Sequence, residues 1–269
     1  MDLIQKHVKD LYWIRDLLIA SDKQMSVKPL LGVASWDDAV CIDFSGKLVL
    51  SSDGPYTRRL VLKSALIHAA GDVVVKGAEP LFAQDMVIGG KEDVQKMVAS
   101  LKIQSEAIKC PLCGGNTLYE KTQPRCSITV VGRLIVENPI SDAGSQEEDI
   151  VCLLGEPIWG GQRQRINKTK TLWSTWYSAL ERIKVNASKD VTKGGLISTV
   201  YEMQHKSRKK IRLEKNQPYP VTRNLGNFLI TLDEKNYEAL KKLCEKTGCA
   251  LEKIGVVSKP QEKKHCGDY

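Results

Sequence analysis

The sequence predicts a mixed α/β (α+β) protein in two halves of similar size, and three observations predict it. Stretches with apolar residues at spacings of three and four alternate with short apolar or β-branched runs. Gly, Pro or Asp bounds most of these runs, as expected where the chain must turn. A polar segment at 137–148 (ENPISDAGSQEE) interrupts the pattern near the middle of the 269 residues. It divides the chain into an N-terminal domain at 1–140, a C-terminal domain at 146–260 and a tail at 261–269.

A helix is expected first, over 3–20, because Leu3, Ile4, Val8, Leu11, Ile14, Leu17 and Leu18 form one apolar stripe. Two short strands follow at 40–43 and 48–52, joined by the turn Ser45-Gly46-Lys47. The stretch 60–75 reads as one helix ending near Gly77, and 84–88 as a short strand broken by Gly89-Gly90. An amphipathic helix spans 91–108, and the β-branched run at 126–136 reads as a buried strand. In the second half, strands are expected at 149–154, 228–232 and 250–257, and helices at 172–183, 195–205 and 233–246. Asp233 caps the last of these helices and Gly248 stops it.

Composition narrows the function. No run of 18 apolar residues occurs, and the N-terminal segment lacks the uninterrupted apolar block of a secretory signal, so a cytoplasmic protein is expected. The eight cysteines then read as reduced thiols, and Cys110 and Cys113 form a single CxxC pair without a second pair to complete a zinc ribbon. The net charge of +8 is spread along the chain apart from a cluster of Lys206, Arg208, Lys209, Lys210 and Arg212 and a tail with Lys259, Lys263 and Lys264. Such a field concentrates polyanions such as nucleotides, whereas no recognisable nucleic-acid module is present. P-loop, dinucleotide, GxSxG and HExxH signatures are all missing.

Aspartates beside glycines and turns carry the chemical signal. Asp37 and Asp38 precede a strand, Asp53-Gly54 ends the next, Asp72 follows Gly71, and Asp190 precedes Val-Thr-Lys-Gly-Gly. Magnesium bound to a triphosphate takes hard oxygen ligands, and glycines let backbone N–H groups approach phosphate. Each aspartate alone also suits a cap or a turn.

Six segments in order then resemble the aminoimidazole ribonucleotide synthetase and selenophosphate synthetase superfamily. WDDAVCID at 36–43 and LVLSSDG at 48–54 resemble its "DDAAV … TTD" opening, and AGDVVVKGAEP at 70–80 its "ND(I/L)xAxGAxP" segment. CGGNTL at 113–118 resembles its "GG(D/E/H)T" loop, followed by the strand ITVVGRL at 128–134. KDVTKGGLISTVYE at 189–202 resembles "DxTxGGLxxxLxE", and IGVV at 254–257 its closing strand.

The resemblance implies two α/β domains, and a homodimer whose N-terminal strands form a barrel across the interface. It implies MgATP held by Asp37, Asp38, Asp53, Asp72 and Asp190 as metal or phosphate-site residues. Gly114, Gly115, Asn116 and Thr117 of the glycine-rich loop, with Gly194 and Gly195 opening a helix, would complete the nucleotide site. Asn116 stands where the thiamine-monophosphate kinase and the hydrogenase maturation factor carry Asp. Cys266 resembles the maturation factor's reactive thiol in lying near the C-terminus, although Gly-Asp-Tyr follows it. The implied chemistry is ATP-dependent phosphorylation or activation of an oxygen on a small metabolite or protein-bound group; the alternative is a nucleotide-binding regulatory or assembly protein.

Overall fold

The computed structural model describes residues 29–32, 34–35, 37, 40–43 and 46–258. The expected helix at 3–20, Asp38 and Cys266 lie outside the described residues.

The N-terminal half is a six-stranded sheet with helices packed on it. Its strands are β1 (Pro29–Leu31), β2 (Val40–Asp43), β3 (Lys47–Thr57), β4 (Ala78–Gly89), β5 (Leu112–Tyr119) and β6 (Arg125–Leu134), in the order β1-β2-β3-β6-β4-β5. All neighbours are antiparallel except β4 and β5, whose parallel pairing requires a crossover, supplied by α3 (Lys91–Ile108). The interior face of β6 alternates buried and half-buried residues, the period of a strand with one face on a core.

The expected single helix at 60–75 is instead two, α1 (Arg58–Val61) and α2 (Ala65–Val75), separated by a turn at 62–64. Helix α2 is apolar nearly all round because it is buried nearly all round, against β3, β4 and β6 on one side and the C-terminal half on the other. Strand β3 also runs past its expected end. It is irregular between Asp53 and Tyr56, where Gly54 has φ 123° and a Cβ would stand 2.8 Å from the Cys126 carbonyl oxygen. A side chain at 54 has no room, so the chain kinks there and then rejoins β6.

The C-terminal half is a five-stranded antiparallel sheet, β8-β10-β7-β11-β9, made of β7 (Ile150–Leu154), β8 (Ala187–Asp190), β9 (Lys210–Leu213), β10 (Phe228–Leu232) and β11 (Leu251–Ser258). Helices α4 (Gln162–Leu180), α5 (Gly195–Ser207) and α6 (Tyr237–Thr247) pack on it. Helix α4 begins ten residues before the expected helix, because its polar start QRQRINKTK hides the apolar period.

The two halves share one core. Trp176 of α4 is fully buried, meets Phe228 edge to face at 5.5 Å, and donates from Nε1 to the Val74 carbonyl oxygen at 2.7 Å. Ser188 donates to the Val75 carbonyl oxygen at 2.5 Å, and Gln162 to Ser100 Oγ at 2.6 Å. Packing and hydrogen bonds together hold the sheets in fixed relation, which sets the cleft between them.

Candidate functional site

The cleft opens where β3, α1 and α2 face the loops after β7 and β8. It encloses about 900 Å³, in the range of small-molecule sites, and contains Asp53, Asp72 and Asp190 together. Asp53 is placed by the kink in β3: its carboxylate accepts from the Gly54 N–H at 2.7 Å and from the Tyr56 hydroxyl. Asp72 reaches the cleft from α2 and accepts from Ser51 Oγ at 2.8 Å. Asp190 ends β8, opposite Phe228 of β10. The three carboxylates gather about Tyr56, whose hydroxyl is pushed far above its ordinary pKa by burial, then by Asp53, with Asp72 and Asp190 adding to it. Tyr56 therefore stays protonated and donates.

Sequence reasoning missed the rest of the lining. Arg59, Lys63, Arg165, Lys193 and Arg223 bring five cations to the same cavity. Arg165 is held by Ser64 Oγ and the Gly160 carbonyl oxygen, both at 2.9 Å. Arg223 lies 4.5 Å over the ring of Trp159, whose Nε1 donates to the Asn224 carbonyl oxygen at 2.7 Å. His68 also lines the cavity; burial, then Arg165, pushes its pKa down to about 4 while Asp53 opposes the shift. It is a neutral imidazole at pH 7 that lines the same cavity as the arginines and the carboxylates. No periodicity marks any of these residues in the sequence, and only their signs of charge could have pointed to them.

The glycine-rich segment is not a loop. Residues 112–119 form the edge strand β5, and Gly115 and Asn116 line a second depression of about 320 Å³ with Asp85, Ser127 and Thr129. The two cavities adjoin: Ser52 lines the first, Thr129 the second, and their hydroxyls are 2.7 Å apart. Gly114 and Thr117 lie on the same strand, with Thr117 exposed and opposite Val87. Cys110, of the CxxC pair, is buried just before β5.

Gly194 and Gly195 open α5 behind the cavity residues Thr192 and Lys193. Gly195 has φ 68°, and a Cβ there would stand 2.5 Å from the Val221 carbonyl oxygen. That oxygen already accepts from the Ile197 N–H at 3.1 Å. The glycine thus lets the 221–223 backbone close over the helix start, and the first turn spends a donor on protein.

Asp37 stands apart from the other aspartates. Lys76 lies 3.3 Å from it, and its carboxylate accepts from the Asp142 N–H at 3.0 Å. Around Asp142, which is fully buried, converge Lys76, Lys206 at 2.6 Å and Lys189 at 3.6 Å, with Glu202 3.5 Å from Lys189. Burial raises the Asp142 pKa, but the three lysines outweigh it and hold the carboxyl well below its ordinary value. Asp37 goes the other way: burial raises it more than Lys76 lowers it.

Among the described residues, no group of three or more His, Cys, Asp or Glu side chains is placed to hold a metal ion. Magnesium bound with a nucleotide needs only one or two protein carboxylates, since phosphate oxygens and waters complete the octahedron. Asp53, Asp72 and Asp190 fit that requirement. No described helix is long and apolar enough to cross a membrane.

Comparison with known proteins agrees with this architecture. The uncharacterized protein MJ0799 of Methanocaldococcus jannaschii is 38% identical over 236 residues, 86% of this chain and 78% of that protein. The putative hydrogenase expression/formation protein MJ0676 of the same organism is 26% identical over 220 residues, 72% of this chain and 66% of that protein. The fold is shared with a HypE-HypF complex structure at a TM-score of 0.69 and 17% identity, covering 91% of this chain and 93% of that one. It is shared also with AaThiL complexed with AMPPCP and TMP at a TM-score of 0.66 and 18% identity, covering 97% and 93%. Residues 36–134 match the N-terminal domain, and 142–265 the C-terminal domain, of AIR synthase related proteins, and the chain belongs to that family.

Proposed function

We infer that the protein is a magnesium- and ATP-dependent enzyme that phosphorylates or activates an oxygen of an acceptor bound in the interdomain cleft. One observation carries the reading: Asp53, Asp72 and Asp190 come from a kinked strand, a buried helix and a strand of the other half, yet meet in one cavity. Structures of similar folds have been solved with ATP and with AMPPCP, which supports a nucleotide as ligand.

In this reading the carboxylates hold magnesium against the nucleotide phosphates, and the adjoining depression at Gly115 and Asn116 receives another part of the nucleotide. Bound magnesium neutralises charge developing on the transferred group. The Tyr56 hydroxyl and Ser51 fix the orientation of Asp53 and Asp72. Lys193, from the loop after β8, supplies a positive charge beside Asp190. Asp37, bound to Lys76, acts on the structure rather than on the ligand. Two copies of the chain would form the working unit. Met86, Leu118 and Tyr119 are 56%, 41% and 59% exposed on β4 and the edge strand β5, a surface that a second copy would cover.

Calorimetric titration with ATP, first with magnesium and then with EDTA, tests the binding step, and ADP release with trial acceptors tests turnover. Magnesium-dependent binding without ADP release for any acceptor would favour a regulatory nucleotide-binding protein instead.

A further inference from the structure

Helix α6 ends on Leu243-Cys244-Glu245-Lys246-Thr247-Gly248-Cys249, and the way it stops brings two thiols together. Gly248 takes the left-handed conformation, φ 69°, and its N–H donates to the Cys244 carbonyl oxygen. The Cys249 N–H donates to the same oxygen at 3.0 Å. A helix that stops in this way lays the residue after the glycine against the one five positions before it, a contact usually made by apolar side chains. Here cysteines occupy both places, and both are buried in one core cluster, Cys244 2% and Cys249 7% exposed. The 3.0 Å bond also holds their Cα atoms within about 7 Å of each other, the limit for a disulfide.

The two thiols differ in access. Cys249 lines a cavity of about 180 Å³ with Gly155, Asn167, Thr171 and Gly248, whereas Cys244 does not line it. Exposed Glu156 and half-exposed Lys168, paired with each other at 3.1 Å, also line this cavity, so it reaches the surface without a net charge. It has room for a few molecules of water size, each taking about 30 Å³, and it shares no lining residue with the interdomain cleft. Hydrogen bonding from Cys244 lowers the Cys249 pKa more than burial raises it, and Thr175 and the Gly155 N–H add to the lowering. The Cys244 thiol is pushed far up by its hydrogen bond to Cys249, then by burial. By contrast, burial pushes the thiols of Cys41, Cys126 and Cys152 up to about 11, 12 and 12.

We propose that Cys249 and Cys244 form a peroxide-reactive dithiol site, in which Cys249 is the attacking thiol, reached through the 180 Å³ cavity, and Cys244 closes the disulfide. The Cys249 thiolate attacks one oxygen of hydrogen peroxide; the O–O bond breaks and hydroxide leaves, giving a sulfenic acid. The Cys244 sulfur then attacks the Cys249 sulfur, the S–O bond breaks, and the hydroxyl leaves with the Cys244 proton as water. Two thiols are oxidised to one disulfide and one peroxide is reduced; the proton first released by Cys249 joins the hydroxide as the second water. The site is independent of the nucleotide reading.

The test exposes the full, reduced chain to hydrogen peroxide, unfolds it in iodoacetamide, digests it with trypsin and reads it by mass spectrometry. Trypsin separates the two cysteines, Cys244 in 243–246 and Cys249 in 247–253, so their disulfide appears as one linked pair of peptides. Cys249 should be consumed at least about tenfold faster than Cys41, Cys126 or Cys152. Cys244→Ser should stop the reaction at the sulfenic acid, which dimedone traps on Cys249. Cys249→Ser should leave Cys244 unoxidised, with circular dichroism checking that both variants fold. Loss of Cys249 no faster than that of the other three buried thiols would overturn the proposal, and this comparison needs only the original chain. So would a disulfide from Cys249 to any other cysteine, or dimedone on Cys244 in Cys249→Ser, which would reverse the roles.

Discussion

Two groups of opposite charges lie near the junction of the two halves, and they are built on different principles. Around Asp142, three lysines meet three carboxylates (Asp37, Asp142 and Glu202); the Lys76, Asp37 and Asp142 side chains are buried and Glu202 is half-buried, each ion within a few ångströms of its opposite. In the cleft, five cations and three carboxylates line a cavity open to solvent, where Asp53 accepts from the Gly54 N–H and the Tyr56 hydroxyl and Asp72 from the Ser51 hydroxyl. The first arrangement satisfies itself and ties α2, the interdomain linker, β8 and α5 together. In the second, Arg59, Lys63, Arg165, Lys193 and Arg223 form no ion pair among the described residues. Charge alone therefore does not identify a site; whether its cations are already paired within the fold is the more telling difference.

Breaking the comparison is straightforward at its structural end. Asp142→Asn should remove the common partner of Lys76, Lys189 and Lys206 and leave buried cations behind. A loss of about 3–5 kcal/mol is expected in urea unfolding. Asp53→Asn, in the open cleft, should change stability by roughly 0.5 kcal/mol or less. Equal losses in the two variants would show that the two groups are not distinct in kind.

The ligand end predicts the reverse order. Asp72→Asn and Asp190→Asn should each weaken magnesium-dependent nucleotide binding by about tenfold or more, equivalent to about 1.4 kcal/mol, with the fold retained by circular dichroism. Binding that is unchanged in both would remove the carboxylates from the site.

A smaller effect is expected at the helix start behind the cleft. Gly195→Ala combines a left-handed backbone with a close approach to Val221, so it should destabilise by about 1 kcal/mol or more in thermal unfolding. Full stability would mean that the 221–223 backbone can move away, and that it does not hold the Arg223 loop in place.

The last prediction sharpens the account of His68. The native imidazole is held neutral down to about pH 4, whereas the unfolded chain takes up the proton near 6.5. The unfolded state binds more protons in that window, so stability falls as pH is lowered from 6.5 toward 4 and is unaffected above 6.5. His68→Gln should flatten this part of the stability profile. An unchanged slope would place a protonated His68 in the cleft and alter its relation to Arg165.

Much of this was visible before the fold. Asp53, Asp72 and Asp190 stand out only through the resemblance of their segments to a known family, since each alone also suits a cap or a turn, whereas the α2 helix and the β6 and β10 strands are legible because their apolar residues dominate a short window. The turn at 62–64 was not, since Leu62 continues the apolar run and nothing polar marks the break between α1 and α2. Strand β5 was hidden by its glycines, and β8 by the polar sequence ASKD, which is buried only because the two halves close on it. Asp142 lies in a segment that reads as a solvated linker; its lysines come from 66, 47 and 64 residues away along the chain. The basic lining of the cleft was illegible for the same reason. Arg59, Arg165 and Arg223 are ordinary surface residues by any local measure, and only the tertiary fold assembles them.

The most direct test of the central claim is one titration series: AMPPCP into the full chain with magnesium, with EDTA, and into Asp190→Asn with magnesium. The account predicts binding in the first and at least tenfold weaker binding in the other two. Equal affinity in all three would contradict it, because the nucleotide would then bind without the metal and without the carboxylate on which the proposed site depends.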